Sequence, residues 1–448
     1  MQDHLLAKDG AEAAAILICT AIEGRRTKLL LKQVLLIPYV ECTRSADSID
    51  WPGQYLDRAL AVAEKENLSI ILIHSHPGGY FDFSTADDRA DRAVMPALFS
   101  AGRPSRQHPR WHGSAIMVPG GAIKARLYGR NKNVQPVELV AVYGDDIHLY
   151  WSDRSSNYCL PLIFSEAMSG ELSRLSVAVI GVSGTGSLVA EQLLRLGIGE
   201  LVVVDHDHVE TKNLNRIINT TYEHATKCKE KVAVFKEAAA RIRPQTNVLA
   251  LPTKIDDRTT LMEVAEADVI FCCVDSESGR HICDLLASAA LQPLFDVGVT
   301  MPVRRPEKGV RIASIAGRVD YVQPAGSTLA DREVYTPASL VSEELASTDP
   351  KAYEQRVRDG YMPGAGEQAP SVITVNMRAA CTVVQEFLAR LYPYRLKGNE
   401  RFSRISFELL IGQEEHRAES TFPKNSLGVF ATGLREPLLG LPKLDRLP

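Results

Sequence analysis

The chain has 448 residues, 24% of them charged and 45% hydrophobic, with a formal net charge of −4. That length exceeds one ordinary core and predicts two or three domains. The slightly acidic balance gives no basic field for nucleic acid or an anionic membrane, and no apolar run reaches the roughly 18 residues that span a bilayer. The N-terminal stretch carries acids and lacks the charged-then-apolar layout of a signal peptide, which predicts a cytoplasmic protein. The eight cysteines include no CxxC pair, which argues against a zinc ribbon and a secreted disulfide framework and predicts mostly buried, reduced thiols.

The first apolar runs, "AAAILICT", "KLLLKQVLLIPYV", "LSIILIH" and "GSAIMVPGGAIKARLYG", alternate with one helical stretch, "DRALAVAEKENL", and read as an α/β domain. A second helix is expected to start at Ser84, a good N-cap followed by the acids of "TADDRAD". The pattern loosens between about 130 and 170, so the domains are placed at 1–150 and 151–448. From Leu175 onward "LSVAVIG", "GELVVVD", "ADVIFCCVD" and "LQPLFDVGV" are buried-strand runs separated by helical patterns, predicting a doubly wound, mostly parallel sheet. The polar segment from Asp331 to Ser371 is expected to be a crossover loop, "VITVNMRAACTVVQEFLARLYPY" one long helix, and the Pro/Leu-rich tail a segment packed on a neighbour.

Within the first domain His74, His76, Ser84 and Asp87 fall in fourteen residues between a strand and a helix. Two histidines at i and i+2 on an extended segment share a face, and an aspartate in the next helix's first turn supplies a third ligand. Three ligands leave a tetrahedral position open, the arrangement of a catalytic rather than a structural zinc. The plain alternative is a loop with incidental histidines. With Pro77, the stretch resembles the JAMM (MPN+) metalloproteases, which cut bonds after the C-terminus of ubiquitin and ubiquitin-like proteins. The resemblance implies zinc on His74, His76 and Asp87, an oxyanion contact from Ser84, and an upstream glutamate as general base. Glu12 and Glu23 are the candidates, and Glu12 is favoured because it leads directly into a strand-like run.

In the second domain, "VAVIGVSGTGSLVAEQLLRLG" sets Gly181, Gly184 and Gly186 between a strand and a helix, where backbone amides can approach phosphate oxygens. Asp205 ends the next strand, where an acid can take ribose hydroxyls. To this point the motif would serve NAD as well as ATP. Asn213, Arg216 and Lys231 after the second strand, and Asp275 after a later one, favour ATP cleavage: the cations can offset charge on the phosphates and the aspartate can carry magnesium. These segments resemble the superfamily of ubiquitin-activating enzymes and the sulfur-carrier adenylyltransferases ThiF and MoeB. The resemblance implies a Rossmann-like adenylation domain in which Asp205, with Asp207, binds ribose, Asn213, Arg216 and Lys231 hold the triphosphate, and Asp275 holds magnesium. Arg154 and Arg174 are read as surface residues.

The thioester cysteine and the zinc-binding CxxC pairs common in that superfamily are missing. Cys381 sits within the long amphipathic helix and is expected to be core. The adenylate is therefore expected to pass directly to a partner, or to an oxyester on Ser327 or Thr328. Together the two resemblances match fusions of bacterial ubiquitin-like conjugation operons linked to phage defence. They imply an ATP-dependent adenylyltransferase for a small β-grasp ubiquitin-like protein, fused to a zinc protease that matures or removes it, with a conjugating-enzyme partner and a homodimer through the adenylation domain. Activation and processing of a sulfur carrier, and a non-catalytic scaffold for a ubiquitin-like tail, are the alternatives; NAD-dependent hydride transfer ranks below both.

Overall fold

The computed structural model describes residues 1–100, 111–131, 133–153, 162–304, 311–358, 371–425 and 427–444. Arg154 and Cys159 lie outside the described residues. The chain divides into two units: Met1–Val142 with Ile147–Leu160 and Ala431–Gly433, and Tyr143–Asp146 with Pro161–Phe430 and Leu434–Pro448.

The first unit is built on a six-stranded sheet. In chain order its strands are β1 (Ala14–Ile22), β2 (Lys28–Leu36), β3 (Ser69–Ser75), β4 (Trp111–Met117), β5 (Ile123–Gly129) and β6 (Val134–Pro136), arranged β2-β1-β3-β4-β5-β6. Only β3 and β4 run parallel; the other neighbours are antiparallel. Both faces of β1 are buried. Ala15, Cys19 and Ile73 point into one core, and Ile16, Ile18 and Ile70 into a second, which is why this strand reads as a continuous apolar run. The second core is roofed by α1 (Gln54–Glu66) and α2 (Thr85–Ser100), through Ala59, Ala63, Met95 and Leu98.

The second unit carries an eight-stranded sheet. Its strands are β7 (Ser176–Ile180), β8 (Glu200–Val204), β9 (Asn247–Leu251), β10 (Val269–Cys272), β11 (Leu294–Thr300), β12 (Ala316–Val322), β13 (Arg404–Glu408) and β14 (Gln413–Arg417), in the order β9-β8-β7-β10-β11-β12-β13-β14. The first five are parallel and the last three add antiparallel. The chain leaves β7 toward β8 on one side and returns to β10 on the other, so the carboxyl end of β7 is the switch point where α/β sheets open a crevice. Four helices matter for what sits there: α3 (Gly184–Leu196), α4 (Lys231–Ile242), α5 (Glu277–Ala290) and α6 (Ile373–Leu391). The last packs along α3 and over β11.

Three expectations change. The Asp331–Ser371 segment holds two helices, Pro337–Thr348 and Pro350–Arg358, rather than one loop. Thr336 caps the first, accepting the Ser339 amide at 3.1 Å, with proline in the first turn where its missing N–H costs nothing. Cys381 is exposed, because α6 buries the stripe Val375, Asn376, Ala379, Ala380, Val383, Val384 and Phe387 and leaves Cys381 on the opposite side. The neighbour of the Pro/Leu tail is its own unit: Leu438 and Leu439 are buried and pack near α5. No helix among the described residues is long and apolar enough to cross a membrane.

Candidate functional sites

The first site lies at the end of β3. The β1–β3 ladder pairs Ala14 with His74 and continues with the Ser75 amide donating to the Ala13 carbonyl at 2.9 Å, which carries Glu12 opposite His76. Strand β4 holds the other side through the His76 amide and the Met117 carbonyl, 2.8 Å apart. Glu12 itself is pinned by backbone: its amide donates to Ser45 and its carbonyl accepts from Arg44 Nε at 2.6 Å. Glu12 is only 5% exposed, and burial pushes its carboxyl above the usual range despite the nearby histidines. Its carboxylate oxygen and one nitrogen from each of His74 and His76 lie within 4.8 Å of one another. Glu23 is exposed, beyond the far end of β1.

Asp87 arrives on α2. The Ser84 hydroxyl accepts the Asp87 amide at 3.2 Å while Asp87 Oδ2 accepts the Ser84 amide at 2.6 Å, a reciprocal cap that fixes the helix start where the sequence places it. The Nε2 atoms of His74 and His76 stand 3.0 Å apart, and Asp87 oxygens lie 3.1 and 3.5 Å from them. Ligands of a tetrahedral zinc at about 2.0–2.1 Å are about 3.3 Å from one another, so the three donors fit that ion in both chemistry and spacing. Burial opposes ionisation of Asp87, but its contacts with the two histidines hold the carboxyl far below its usual range. His76 Nδ1 lies 2.8 Å from the Tyr80 carbonyl, which accepts its proton and leaves Nε2 as the free donor atom.

A supporting network escaped the sequence reading. Asp91, one turn beyond Asp87, accepts from Ser114 at 2.5 Å, Arg126 Nη2 at 2.6 Å and Tyr128 at 2.8 Å, while Arg126 Nη1 reaches Asp88 at 2.6 Å. These bonds fasten α2 to β4 and β5. The acids of "DDRAD" were its visible signal, since Asp88 and Asp91 are three residues apart and so on one helix face.

The second site is the crevice at the end of β7. Gly181 has φ +86°, and its amide donates to the Val204 carbonyl at 2.7 Å. A Cβ on Gly186 would sit 1.7 Å from the Gly181 carbonyl oxygen, so the strand-to-helix turn closes only with glycine there. Asp205, 8% exposed, follows β8 directly; its two oxygens accept the amides of Val182 and Asp207 at 2.8 and 2.9 Å. Burial pushes this carboxyl up, against the pull of Lys231 and those amides.

Lys231, at the first position of α4 and 6% exposed, reaches Asp207 at 2.7 Å and Asp205 at 3.8 Å. Burial disfavours ionised Asp207, but that ammonium outweighs it and holds the carboxyl below its usual range. Arg216 crosses the glycine turn, its Cδ 3.1 Å from where a Gly184 Cβ would stand, with Nη1 donating to the Lys212 carbonyl at 3.0 Å. The amides of Gly184, Thr185 and Gly186 open α3 and have no intrahelical acceptor, so helix end, guanidinium and ammonium form a set suited to phosphate oxygens. Asn213 is 2% exposed and its Oδ1 accepts the Glu210 amide at 2.9 Å, so its oxygen is committed to shaping the turn that presents Arg216. Asp275 is exposed just beyond β10, two residues after Cys273, whose carbonyl packs beneath Gly181.

Asn376, missed in the sequence, lies on the first turn of α6. Its Nδ2 would stand 2.3 Å from a Gly184 Cβ and donates to Ser371 Oγ at 3.1 Å. Beside Asp275 a cleft of about 540 Å³ opens, lined by Arg280, Gly298, Thr300, Gly317, Arg318 and Phe407. Arg280 Nη1 donates to the Asp275 carbonyl at 3.3 Å, which joins the cleft to the crevice at the end of β7.

The proposed ester acceptors do not fit that role. Ser327 is fully buried, its hydroxyl donating to Glu419 at 3.1 Å and accepting from Arg332 at 2.8 Å, and Thr328 Oγ1 is occupied by the Asp331 amide at 3.1 Å. An ester at Ser327 would break a buried ionic cluster in which Arg332 also binds Asp320 at 3.0 Å, and one at Thr328 would disturb the turn held by Asp331. Cys273, on the floor of the glycine turn, has a thiol pushed far up by burial, which removes its nucleophilic form.

Comparison with known proteins agrees with this division. The model described as "Prokaryotic homologs of the JAB domain" matches residues 1–124, and that described as "ThiF family" matches residues 155–406. Among curated proteins, ubiquitin-like modifier-activating enzyme 5 of Caenorhabditis briggsae is 28% identical over 160 residues, 33% of this chain and 34% of that protein. Molybdopterin-synthase adenylyltransferase of Escherichia coli K12 is 30% identical over 118 residues, 26% of this chain and 47% of that protein. The alignments thus span about a third to a half of these relatives. Among solved structures, E. coli MccB with ATP aligns at 18% identity and a TM-score of 0.42, covering 56% of this chain and 66% of that one. With the matched region exceeding half its length and following the switch-point crevice, the chain belongs to the ThiF family and carries a JAB domain at its N-terminal end.

Proposed function

We propose that the second unit adenylates the C-terminal carboxylate of a small ubiquitin-like β-grasp protein, and that the JAB unit hydrolyses a bond at that same C-terminus. The observation that carries the reading is the convergence of the α3 amides, Arg216 and Lys231 on one end of β7. There, a carrier carboxylate oxygen bonds to the α-phosphorus of ATP as the bond from that phosphorus to the bridging oxygen breaks, and pyrophosphate leaves. Asp205 and Asp207 orient the ribose; Arg216, the α3 amides and Lys231 stabilise the charge that grows on phosphate oxygens. Asp275 would hold a magnesium ion, whose charge would offset that of the phosphates. The cleft lined by Arg280 and Arg318 takes the extended tail that delivers the carboxylate.

In the first unit His74, His76 and Asp87 would hold zinc, which when bound supplies Lewis acidity toward a carbonyl oxygen and toward water. Glu12, buried with a raised carboxyl, accepts a proton from the attacking water and returns it to the leaving amine. The Ser84 hydroxyl, held by its helix-cap bond to the Asp87 amide, would donate to the developing oxyanion.

Ser327, Thr328 and Cys273 are sealed, which favours direct transfer of the adenylate to a partner's nucleophile, consistent with a separate conjugating enzyme. The family also supports a homodimer through this unit. The adenylyltransferase relative that serves molybdopterin synthase supports a second reading, in which the carrier is a sulfur carrier.

The test is ATP:pyrophosphate exchange with purified chain and candidate β-grasp proteins, together with an Asp275→Ala variant. Exchange that requires one carrier's C-terminal glycine and disappears in the variant supports the reading; absence of exchange with every carrier refutes it. Thiocarboxylate on the carrier after incubation with a sulfur donor would select the second reading.

A further inference from the structure

Asp87, one of the three candidate metal ligands, stands in the first turn of α2, and the apolar packing of that helix does not reach it. The buried residues of α2 are Asp91, Met95 and Leu98, and of these Met95 and Leu98 join the second core. The first turn is therefore the end that would fray. Its Asp87 oxygens nevertheless stand 3.1 and 3.5 Å from the two histidines, which are fixed separately, His74 within β3 and His76 by its amide on β4. The reciprocal cap ties Ser84 and Asp87 to each other, not to the sheet.

Arg126 supplies the hold on the sheet. It lies in β5, between β4 and β6, paired with Ser114 and Pro136. Its Nη1 donates to Asp88 at 2.6 Å, and its Nη2 and Nε donate to one oxygen of Asp91 at 2.6 and 3.0 Å. Its Cζ also lies 3.8 Å from the centre of the Phe83 ring. Phe83 precedes Ser84 and Asp88 follows Asp87, so one guanidinium grips both flanks of the segment that carries the oxyanion donor and the third ligand. Two residues back along the strand, Lys124 Nζ reaches Asp82 at 3.1 Å and ties down the approach to that segment. The Arg126 and Asp91 side chains are 15% and 7% exposed, so these charge-assisted bonds are shielded from water and keep a fixed geometry.

We propose that Arg126 is a positioning residue for the metal site, holding Asp87 at ligand distance from His74 and His76 and so setting how tightly, and in what geometry, the ion is bound. This rests on the zinc site proposed above. Charge alone would act in the opposite direction. A guanidinium repels a nearby divalent cation, and without it Asp88 and Asp91 would add uncompensated negative charge, so deleting it should tighten binding. Weaker binding on deletion therefore reports that Asp87 has lost its place.

The experiment compares the native full chain with Arg126→Gln and Arg126→Lys in three measurements: zinc affinity by competition with a chromogenic chelator, visible absorption of the cobalt(II)-loaded chain, and melting temperature of the metal-free chain. Arg126→Gln should weaken zinc about 10–100-fold, the usual scale for a group that orients a ligand. Its cobalt(II) bands should lose intensity as water replaces Asp87 and the ion leaves tetrahedral geometry. Arg126→Lys keeps the charge but lacks the fork that spans Asp88 and Asp91. It should fold with a melting temperature near native and weaken zinc about tenfold, the low end of that range, so it decides the matter should Arg126→Gln not fold. Native zinc affinity with a native cobalt(II) spectrum in the variants, whatever their melting temperature, confines Arg126 to a structural role and overturns the proposal, as does tighter binding. A native chain that takes up no zinc overturns the zinc site itself, and this proposal with it.

Discussion

Gly186→Ala adds a methyl carbon 1.7 Å from the Gly181 carbonyl oxygen and 3.1 Å from Cys273 Cβ, where real contacts stop near 3.0 Å. The nearest obstacle is backbone, so no rotamer change relieves it, and the turn and the start of α3 must part by about 1.3 Å in a close-packed interior. Overpacking of this kind costs about 1–3 kcal/mol, partly offset by about 1 kcal/mol from alanine's better helix propensity. At roughly 2–4 °C per kcal/mol for a domain of this size, the melting temperature should fall by up to about 8 °C. The larger effect falls on chemistry, because displacement by about 1 Å of groups that position a reactant costs on the order of 10²-fold in rate. Scanning fluorimetry reads the first quantity; ATP titration and ATP:pyrophosphate exchange read the second. Gly184→Ala is the comparison, since its methyl meets the end of the Asn376 side chain, which can turn aside. A Gly186→Ala chain with native melting temperature and native ATP affinity would refute the packing argument for this turn.

Glu12→Gln should retain zinc by elemental analysis while hydrolysis of a carrier fusion drops about 10²–10⁴-fold, whereas His76→Ala should lose the metal itself. His112 accepts the Ile70 amide at 3.0 Å, and burial, with the Arg130 charge, holds it down to about 4. Unfolded, it titrates near 6.5 and so takes up a proton the folded form refuses. Its contribution is therefore complete above about pH 6.5 and lost as pH falls toward 4, by about 3 kcal/mol in all. Urea denaturation at pH 7 and 4.5 should show that loss reduced in His112→Gln. Arg332→Met leaves Asp320 to Arg318 and Arg404 but takes from buried Glu419 its nearest cation, and should cost about 3 kcal/mol, seen as a melting temperature lower by on the order of 10 °C; an unchanged melting curve would show the cluster is not what holds β12 to β13.

What the sequence discloses is what local spacing encodes. His74, His76, Ser84 and Asp87 share one strand-to-helix connection, and Gly181, Gly184 and Gly186 one turn, so each set could be read before any fold was known. Glu12 over Glu23 needed only the direction of β1. Asn376 could not be found that way: it meets Gly184 because a helix far along the chain packs over α3, and an asparagine on an apolar stripe looks like a blemish in a core pattern. The Arg332 cluster is hidden for the same reason, its partners Asp320, Ser327, Arg404 and Glu419 being gathered by three antiparallel strands and a turn. Hydrophobic periodicity did announce α6, but which side Cys381 occupies depends on the docking angle, and that is a tertiary quantity. The helices at Pro337 and Pro350 were obscured by their polarity, since no residue of either is buried.

The reach of Asn376 back to Gly184 has a consequence for the order of events on the ribosome. The glycine turn is synthesised roughly 190 residues before the helix that closes over it, a delay of about 10–40 s at ordinary elongation rates. Through that interval β7, β8 and α3 can pair, yet the crevice lacks its far wall and Arg216 its neighbour. On the proposed function, nucleotide affinity would therefore mature late, once α6 has closed the crevice. An interrupted translation product would hold the glycine turn without the asparagine that closes over it, so on the proposed function the first chemical step waits for α6.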